Sequence, residues 1–211
     1  MKKTVLREYA KLIVRVGVNI QKGQTLIVHA GLDQPEFVAM VVEEAYKAKA
    51  KEVIVEWSYQ PLTKTHVRYK SLKTMSTVYE WEKARLEHYC EVLPARIHLV
   101  SEDPDGLKGI NQEKMTKAAR MKYPVIKPYR DAMDNKYKWC IASVPGNAWA
   151  KKVFPGERTS VAVKKLWNAI LYTSRVLDKD GNFVPVYSTR KEIEGAPYDS
   201  LRIAGDDGSY I

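Results

Sequence analysis

Cysteine is scarce in this sequence. The 211 residues include two, Cys90 and Cys140, far apart and without a C-x-x-C spacing. That argues against a disulfide framework and for reduced thiols in a cytoplasmic protein. Histidine is nearly as sparse. His29, His66, His88 and His98 stand at no i+3 or i+4 spacing from one another, and H-E-x-x-H is absent. A helix-borne zinc site is therefore not displayed. The Glu87-His88 pair, with Cys90 nearby, reads as helix surface. No apolar run approaches the roughly 20 residues a membrane span requires. The start, Met1-Lys2-Lys3, resembles a signal peptide, but Arg7, Glu8, Lys11 and Arg15 interrupt any apolar stretch, which argues against export. Neither G-x-G-x-x-G nor G-x-x-x-x-G-K-[ST] occurs, so a dinucleotide enzyme or a P-loop NTPase is disfavoured. G-x-S-x-G is missing too, and Ser143, at a strand end, lacks the sharp turn of a hydrolase nucleophile.

What is present suits a soluble globular protein. The hydrophobic fraction is 45% and the charged fraction 28%. A chain this long buries roughly 70% of its unfolded surface without staples. The net charge of +10 is unevenly spread: residues 178–211 carry −3, leaving +13 on the first 177. A basic body can attract nucleic acid or another polyanion. Here the lysines fall on polar faces of amphipathic helices, which reads as solvated surface. Five tryptophans and thirteen tyrosines could stack bases, but no RNP-type motif accompanies them, and their spacing predicts core.

The apolar periodicity predicts α/β alternation. Val5, Leu6, Tyr9, Leu12, Ile13 and Val16 mark a helix over Val5 to Val18. Thr25 to His29 is a continuous apolar strand, of the kind covered on both faces. Asp33 is the expected N-cap of a helix with Pro35 and Glu36 in its first turn, burying Phe37, Met40, Val41, Ala45 and Tyr46. Val53 to Trp57 is a second strand, closing a βαβ unit. A long helical region fills Gln60 to Glu91, with Lys64, Arg68, Lys70 and Lys73 exposed. Arg96 to Val100 is a third strand. Two helices, Gln112 to Lys122 and Val125 to Met133, are expected on either side of Pro124. Trp139 to Val144 is a fourth strand, and a last helix spans Ser160 to Arg175. The fold class is a three-layer α/β sandwich with a mostly parallel sheet of about four strands. Residues 1–177 form this domain. Residues 178–211 form an irregular carboxy-terminal tail or linker, opening with a turn at Asp178–Asn182.

In an open α/β sheet, ligands sit beyond the carboxyl ends of the strands. Those ends bring together His29 to Asp33, Trp57 to Tyr59, Ser101 to Asp103 and Ser143 to Asn147 as a polar crevice, with His29, Asp33, Ser143 and Asn147 as its candidate residues, alongside the plainer possibility that they only cap helices and end strands. His29 and His98 flank or enter strands and read first as satisfied core histidines.

The most specific wording is Trp139-Cys140-Ile141-Ala142-Ser143-Val144-Pro145-Gly146-Asn147-Ala148-Trp149-Ala150-Lys151-Lys152-Val153-Phe154-Pro155. Physically it is a buried strand stopped by Pro145-Gly146, then a short helix with Asn147 as expected N-cap and Trp139 and Trp149 as expected core. It resembles a signature of the amino-terminal domain of thermophilic-type metallo-aminopeptidases, metallopeptidase family twenty-nine. Tyr9 to Val14, Gly17 to Gln24, Glu43 to Tyr46 and Ala162 to Ile170 are similar to the same family in the same order, covering residues 4 to 177. The resemblance implies an exopeptidase that removes amino-terminal residues from peptides. It also implies two divalent metals (zinc, cobalt or magnesium) in the full-length protein, and a cytoplasmic homodimer. In the family the metal ligands and catalytic residues lie in a second domain, so none maps onto a position here, and the chain resembles a truncated member that is inactive alone. The alternatives are a stand-alone small-ligand-binding domain and a basic polyanion binder.

Overall fold

A computed structural model of the chain describes residues 1–184. Helix α1 (Lys3–Lys11) runs on into a π-helical segment (Leu12–Gly17). Then come β1 (Thr25–Gly31), α2 (Pro35–Lys47), β2 (Glu52–Ser58), α3 (Gln60–Tyr69), α4 (Leu72–Ser76), α5 (Glu80–Val92), β3 (Ala95–Val100), α6 (Gln112–Met133), β4 (Trp139–Ser143), α7 (Asn147–Val153) and α8 (Thr159–Thr173). The four strands are all parallel, in the order β2-β1-β3-β4. Because β1 lies between β2 and β3, the chain turns outward in both directions from it. The carboxyl ends of β1 and β3 are thus the switch point of the sheet, where its crevice must open.

Alternation along β1 feeds two cores of unequal size. Leu26, Val28 and Ala30 join the larger one, with α1, α2 and α8. Ile27 points the other way, to Tyr89 of α5 and Met133 of α6. Helices therefore cover both faces, and the architecture is the three-layer sandwich that the continuous apolar strands predict. The larger core is fastened by three aromatics. Tyr9 stacks on Phe37 with ring centroids 5.6 Å apart, and Trp167 meets both edge-on at 6.2 and 5.5 Å. One ring cluster thus ties α1, α2 and α8. The Tyr9 hydroxyl donates to the carbonyl of Ser143 at 3.1 Å, and burial pushes its pKa up to about 12.

Several sequence expectations need correction. The expected α-helix over Val5 to Val18 widens at Leu12, where the N–H of Val18 bonds the carbonyl of Ile13. The wide turn shifts the helical phase, burying Val14 and Val18 and leaving Val16 exposed. The region Gln60–Glu91 is three helices, not one run. The two helices expected around Pro124 are the single helix α6. Pro124 and Pro128 lie on its solvent side, as do Arg120 and Pro124, whose carbonyls lose their donors, so water can take their place. Tyr46, expected in the core, is half exposed, and so is Trp57 on the edge strand β2. Trp81 and Trp139 are both 62% exposed. Trp139 lies on edge strand β4, on the sheet face that α5 and α6 cover only in part. Trp149 does pack against the larger core. Around Asp178–Asn182 the expected turn forms, with Leu177 bridging Phe183 and Gly181 at φ +80°. The rest of the 178–211 tail lies outside the described residues. Among those described, no helix is long and apolar enough to cross a membrane.

Trp167→Ala should remove about 3–5 kcal/mol of unfolding free energy in urea titrations. The exposed Trp139→Ala should stay within about 0.5 kcal/mol.

Candidate functional site

Every strand of the sheet delivers a loop to one crevice of about 530 Å³. β1 contributes Gly31 to Gln34, β2 contributes Ser58 to Pro61, β3 contributes Ser101 to Asp103, and the turn after β4 contributes Gly146 to Ala148. The loops are braced against each other. The Ser101 hydroxyl, on a residue only 2% exposed, donates to Asp33 Oδ1 at 2.8 Å. Gln34 Nε2 donates to the carbonyl of Pro145 at 3.0 Å. The Gln60 amide clamps the main chain of Asp103, donating to its carbonyl at 3.0 Å and accepting its N–H at 3.1 Å. Two glycines make this approach possible. A Cβ on Gly31 would sit 2.5 Å from both Asp33 Oδ1 and Ser101 Oγ. A Cβ on Gly146 would overlap the carbonyl oxygen of Ser101. Asp105, at the crevice, is paired with Lys152 of α7 at 2.7 Å, which holds its carboxyl below the usual carboxylate range.

Of the four residues the sequence brings forward, Asp33 and Asn147 line the crevice and His29 and Ser143 do not. Asp33 is not the N-cap of α2. Gln34 occupies that place, and the Asp33 carboxylate is engaged by Ser101. Asn147 is likewise not an N-cap. Gly146 caps α7, its carbonyl accepting from Ala150, and Asn147 is the first helical residue. Ser143 borders a separate groove, with Tyr9 and Cys140. His29 lies on the sheet face toward α5, where it stacks on His98 at 4.4 Å between centroids. Its Nδ1 is 3.0 Å from Glu56 Oε2, and Arg85 reaches Glu56 Oε1 at 3.2 Å. Gln60, Lys64 and Asp105 are crevice residues that the sequence reading missed, whereas Tyr59 and Ser101 to Asp103 line it as the strand ends predict. The composition Asp103-Pro104-Asp105-Gly106 marks a loop, which is the one signal in the sequence for Asp105.

Divalent metals need several donors aimed at one point. Among the described residues no three His, Cys, Asp or Glu side chains are so arranged. His29 and His98 are nearly parallel in their stack, with 13° between the ring planes, so their nitrogens do not converge. The described residues do not fit a two-metal centre.

A family model described as thermophilic metalloprotease (M29) matches residues 2–183. The chain belongs to the M29 family. It is 36% identical over 177 residues to aminopeptidase PepS of Streptococcus thermophilus, which covers 83% of this chain and 43% of PepS. It is 34% identical over 172 residues to aminopeptidase AmpS of Bacillus subtilis, covering 81% and 42%. The solved structure of wild-type AmpT from Thermus thermophilus superposes with a TM-score of 0.73 at 26% identity, covering 91% of this chain and 46% of AmpT. The M29 chain thus spans less than half the length of the relatives it matches.

In this M29 chain the crevice offers the carboxylates of Asp33, Glu102, Asp103 and Asp105, one cation in Lys64, and amides from Gln60 and Asn147. That composition can hold a polar or cationic group. Ser101 has a carboxylate partner and no histidine beside it in the lining, so the set lacks the nucleophile–base–orienter arrangement of covalent catalysis. Gly146→Ala should lower stability by about 1–3 kcal/mol through overlap with a main-chain carbonyl that cannot swing away, measured by chemical denaturation.

The histidine pair yields a pH prediction. Burial is the main cause that lowers the pKa of both rings from 6.5. For His29 the neighbouring His98, Arg96 and Arg85 lower it further while Glu56 opposes, and for His98 Arg96 lowers it and Glu56 opposes. A depressed folded pKa means that the unfolded chain binds protons first. The stabilising contribution is therefore complete above pH 6.5 and is lost as pH falls through the folded values. The unfolding midpoint should drop between pH 7 and pH 5, and His98→Asn should flatten that slope.

Proposed function

We propose that this chain is the non-catalytic amino-terminal portion of an M29-type aminopeptidase. Residues 1–177 would be its α/β domain and 178–211 the tail or linker. The whole enzyme would remove amino-terminal residues from peptides as a cytoplasmic homodimer, using two divalent metals, zinc, cobalt or magnesium, held outside this region. The observation that carries the reading is the conjunction of length and chemistry. The match takes in 43% of PepS, and the described residues lack three convergent metal donors. The part proposed for this chain is structural: its carboxyl-edge crevice presents acidic and amide groups that can border the path of a peptide.

A second reading has its own support. The crevice of about 530 Å³ stands at the switch point of the sheet, the usual place for a small ligand in folds of this type. On that reading the chain binds a small molecule by itself.

Leucyl and other aminoacyl chromogenic substrates, supplied with cobalt or zinc, separate the readings. The isolated chain should show no turnover above the metal blank. Robust turnover abolished by a chelator would overturn the non-catalytic assignment. A small molecule that raises the melting temperature of the wild type but not of an Asn147→Ala variant would favour the second reading.

A further inference from the structure

A second pocket, of about 400 Å³, lies beside the crevice, between α3 and the loop that leads into α6. Its charge is opposite. Lys64 and Arg68 enter from α3, Lys108 from the loop, and Lys114 from the first turn of α6. No carboxylate lines it. We propose that this pocket binds an oxyanion, the carboxylate of a peptide or a phosphate group.

The ion pairs among the described residues do not reach into the pocket. Lys47, Lys83, Lys122, Lys127, Lys152 and Lys165 each meet an acidic side chain. Among the described residues none of the four pocket cations does. The nearby carboxylate that could have served, Asp105, is held by Lys152 at 2.7 Å, and Lys108 acts on it only through the longer-range field. Lys114 is fixed in place, because its ammonium donates to the carbonyl of Val67 at 2.7 Å, which leaves two of its three donors free. Lys64 and Lys114 are half-buried, and Val67 beneath them is 4% exposed, so two of the charges border a partly dry wall. Four like charges around one concavity raise each other's energy, and an anion placed among them relieves that repulsion.

The main chain adds to the same field. Asn111 is the N-cap of α6, and its side chain accepts the N–H of Lys114 at 2.8 Å. The N–H groups of Gln112 and Glu113, between these two lining residues, have no acceptor among the described residues. Free N–H groups at the start of a helix of 22 residues favour negative charge. Arg68 supplies a planar fork suited to a two-oxygen ligand. Lys64 also lines the neighbouring crevice, so the two concavities form one surface, acidic at the crevice and basic at the pocket.

The test is calorimetric titration of the 211-residue chain at constant ionic strength made up with chloride. Inorganic phosphate is one probe, and acetyl-glycyl-glycine, a peptide carboxylate without a free amine, is the other. At least one should saturate at one equivalent. The Arg68→Gln, Lys108→Gln double variant, both at exposed positions, should weaken binding about tenfold or more. Lys136→Gln, an exposed lysine elsewhere, should leave it unchanged. Saturation by phosphate alone identifies a phosphate site, and saturation by the peptide identifies a carboxylate site. If neither probe saturates above the chloride control, or the double variant binds as the wild type does, the proposal fails. That failure would not touch the peptidase reading, which rests on the family match and on the crevice.

Discussion

The structure depends on β1 being covered on both faces. As the inner strand between β2 and β3, it has apolar side chains pointing both ways, and the alternation of Leu26, Ile27, Val28 and Ala30 leaves no face for water. Helices must therefore flank the sheet on both sides. α1, α2 and α8 do so generously, through the Tyr9–Phe37–Trp167 ring cluster. α5 and α6 do so sparingly, with Tyr89 and Met133 as their main buried contributions. The thinner side is where charge lies against the sheet. Glu56, His29, His98 and Arg96 stand half-buried on that face, and Arg85 reaches Glu56 from α5.

The same central strand determines where a ligand can approach. Because β2 and β3 lie on opposite sides of β1, the loops after β1 and β3 diverge and leave a gap. That gap is kept narrow at its base by the Ser101–Asp33 hydrogen bond and by two glycines whose missing side chains let three loops touch. It is kept in shape by amide side chains bonded to main chain, from Gln34 and Gln60. The result is an acidic crevice next to a basic pocket. Both concavities belong to a chain that spans less than half of the aminopeptidases it matches.

Much of the fold was legible because periodicity reports burial directly. Four strands and their helices appear where apolar spacing places them, and the Trp139–Pro155 wording leads to the family that residues 2–183 match. What failed did so for tertiary reasons. Pro124 reads as a helix breaker, yet α6 runs through it because the unbonded carbonyls face solvent. Val16 keeps a helical spacing that the π turn then rotates outward. Trp139 is apolar and lies in a strand, but that strand is an edge whose outer face is left bare. The crevice was half legible. Strand ends point to Asp33 and Asn147. His29, four residues before Asp33, lies inside β1 with its ring on the face toward α5, because the strand runs on to Gly31.

The sequence alone determined the class of the protein: a chain without disulfides, phosphate loops or zinc motifs, with parallel strands buried on two sides and one family's wording along residues 4 to 177. Those properties are local, carried by spacing and residue type, and survive without coordinates. The tertiary structure decided which charges meet. Lys64, Arg68, Lys108 and Lys114 read singly as solvated surface, and so does each acid of the crevice. They become a basic pocket and an acidic crevice only because α3 and the loop into α6 are folded against the carboxyl edge of the sheet. There, residues more than forty positions apart share one electric field.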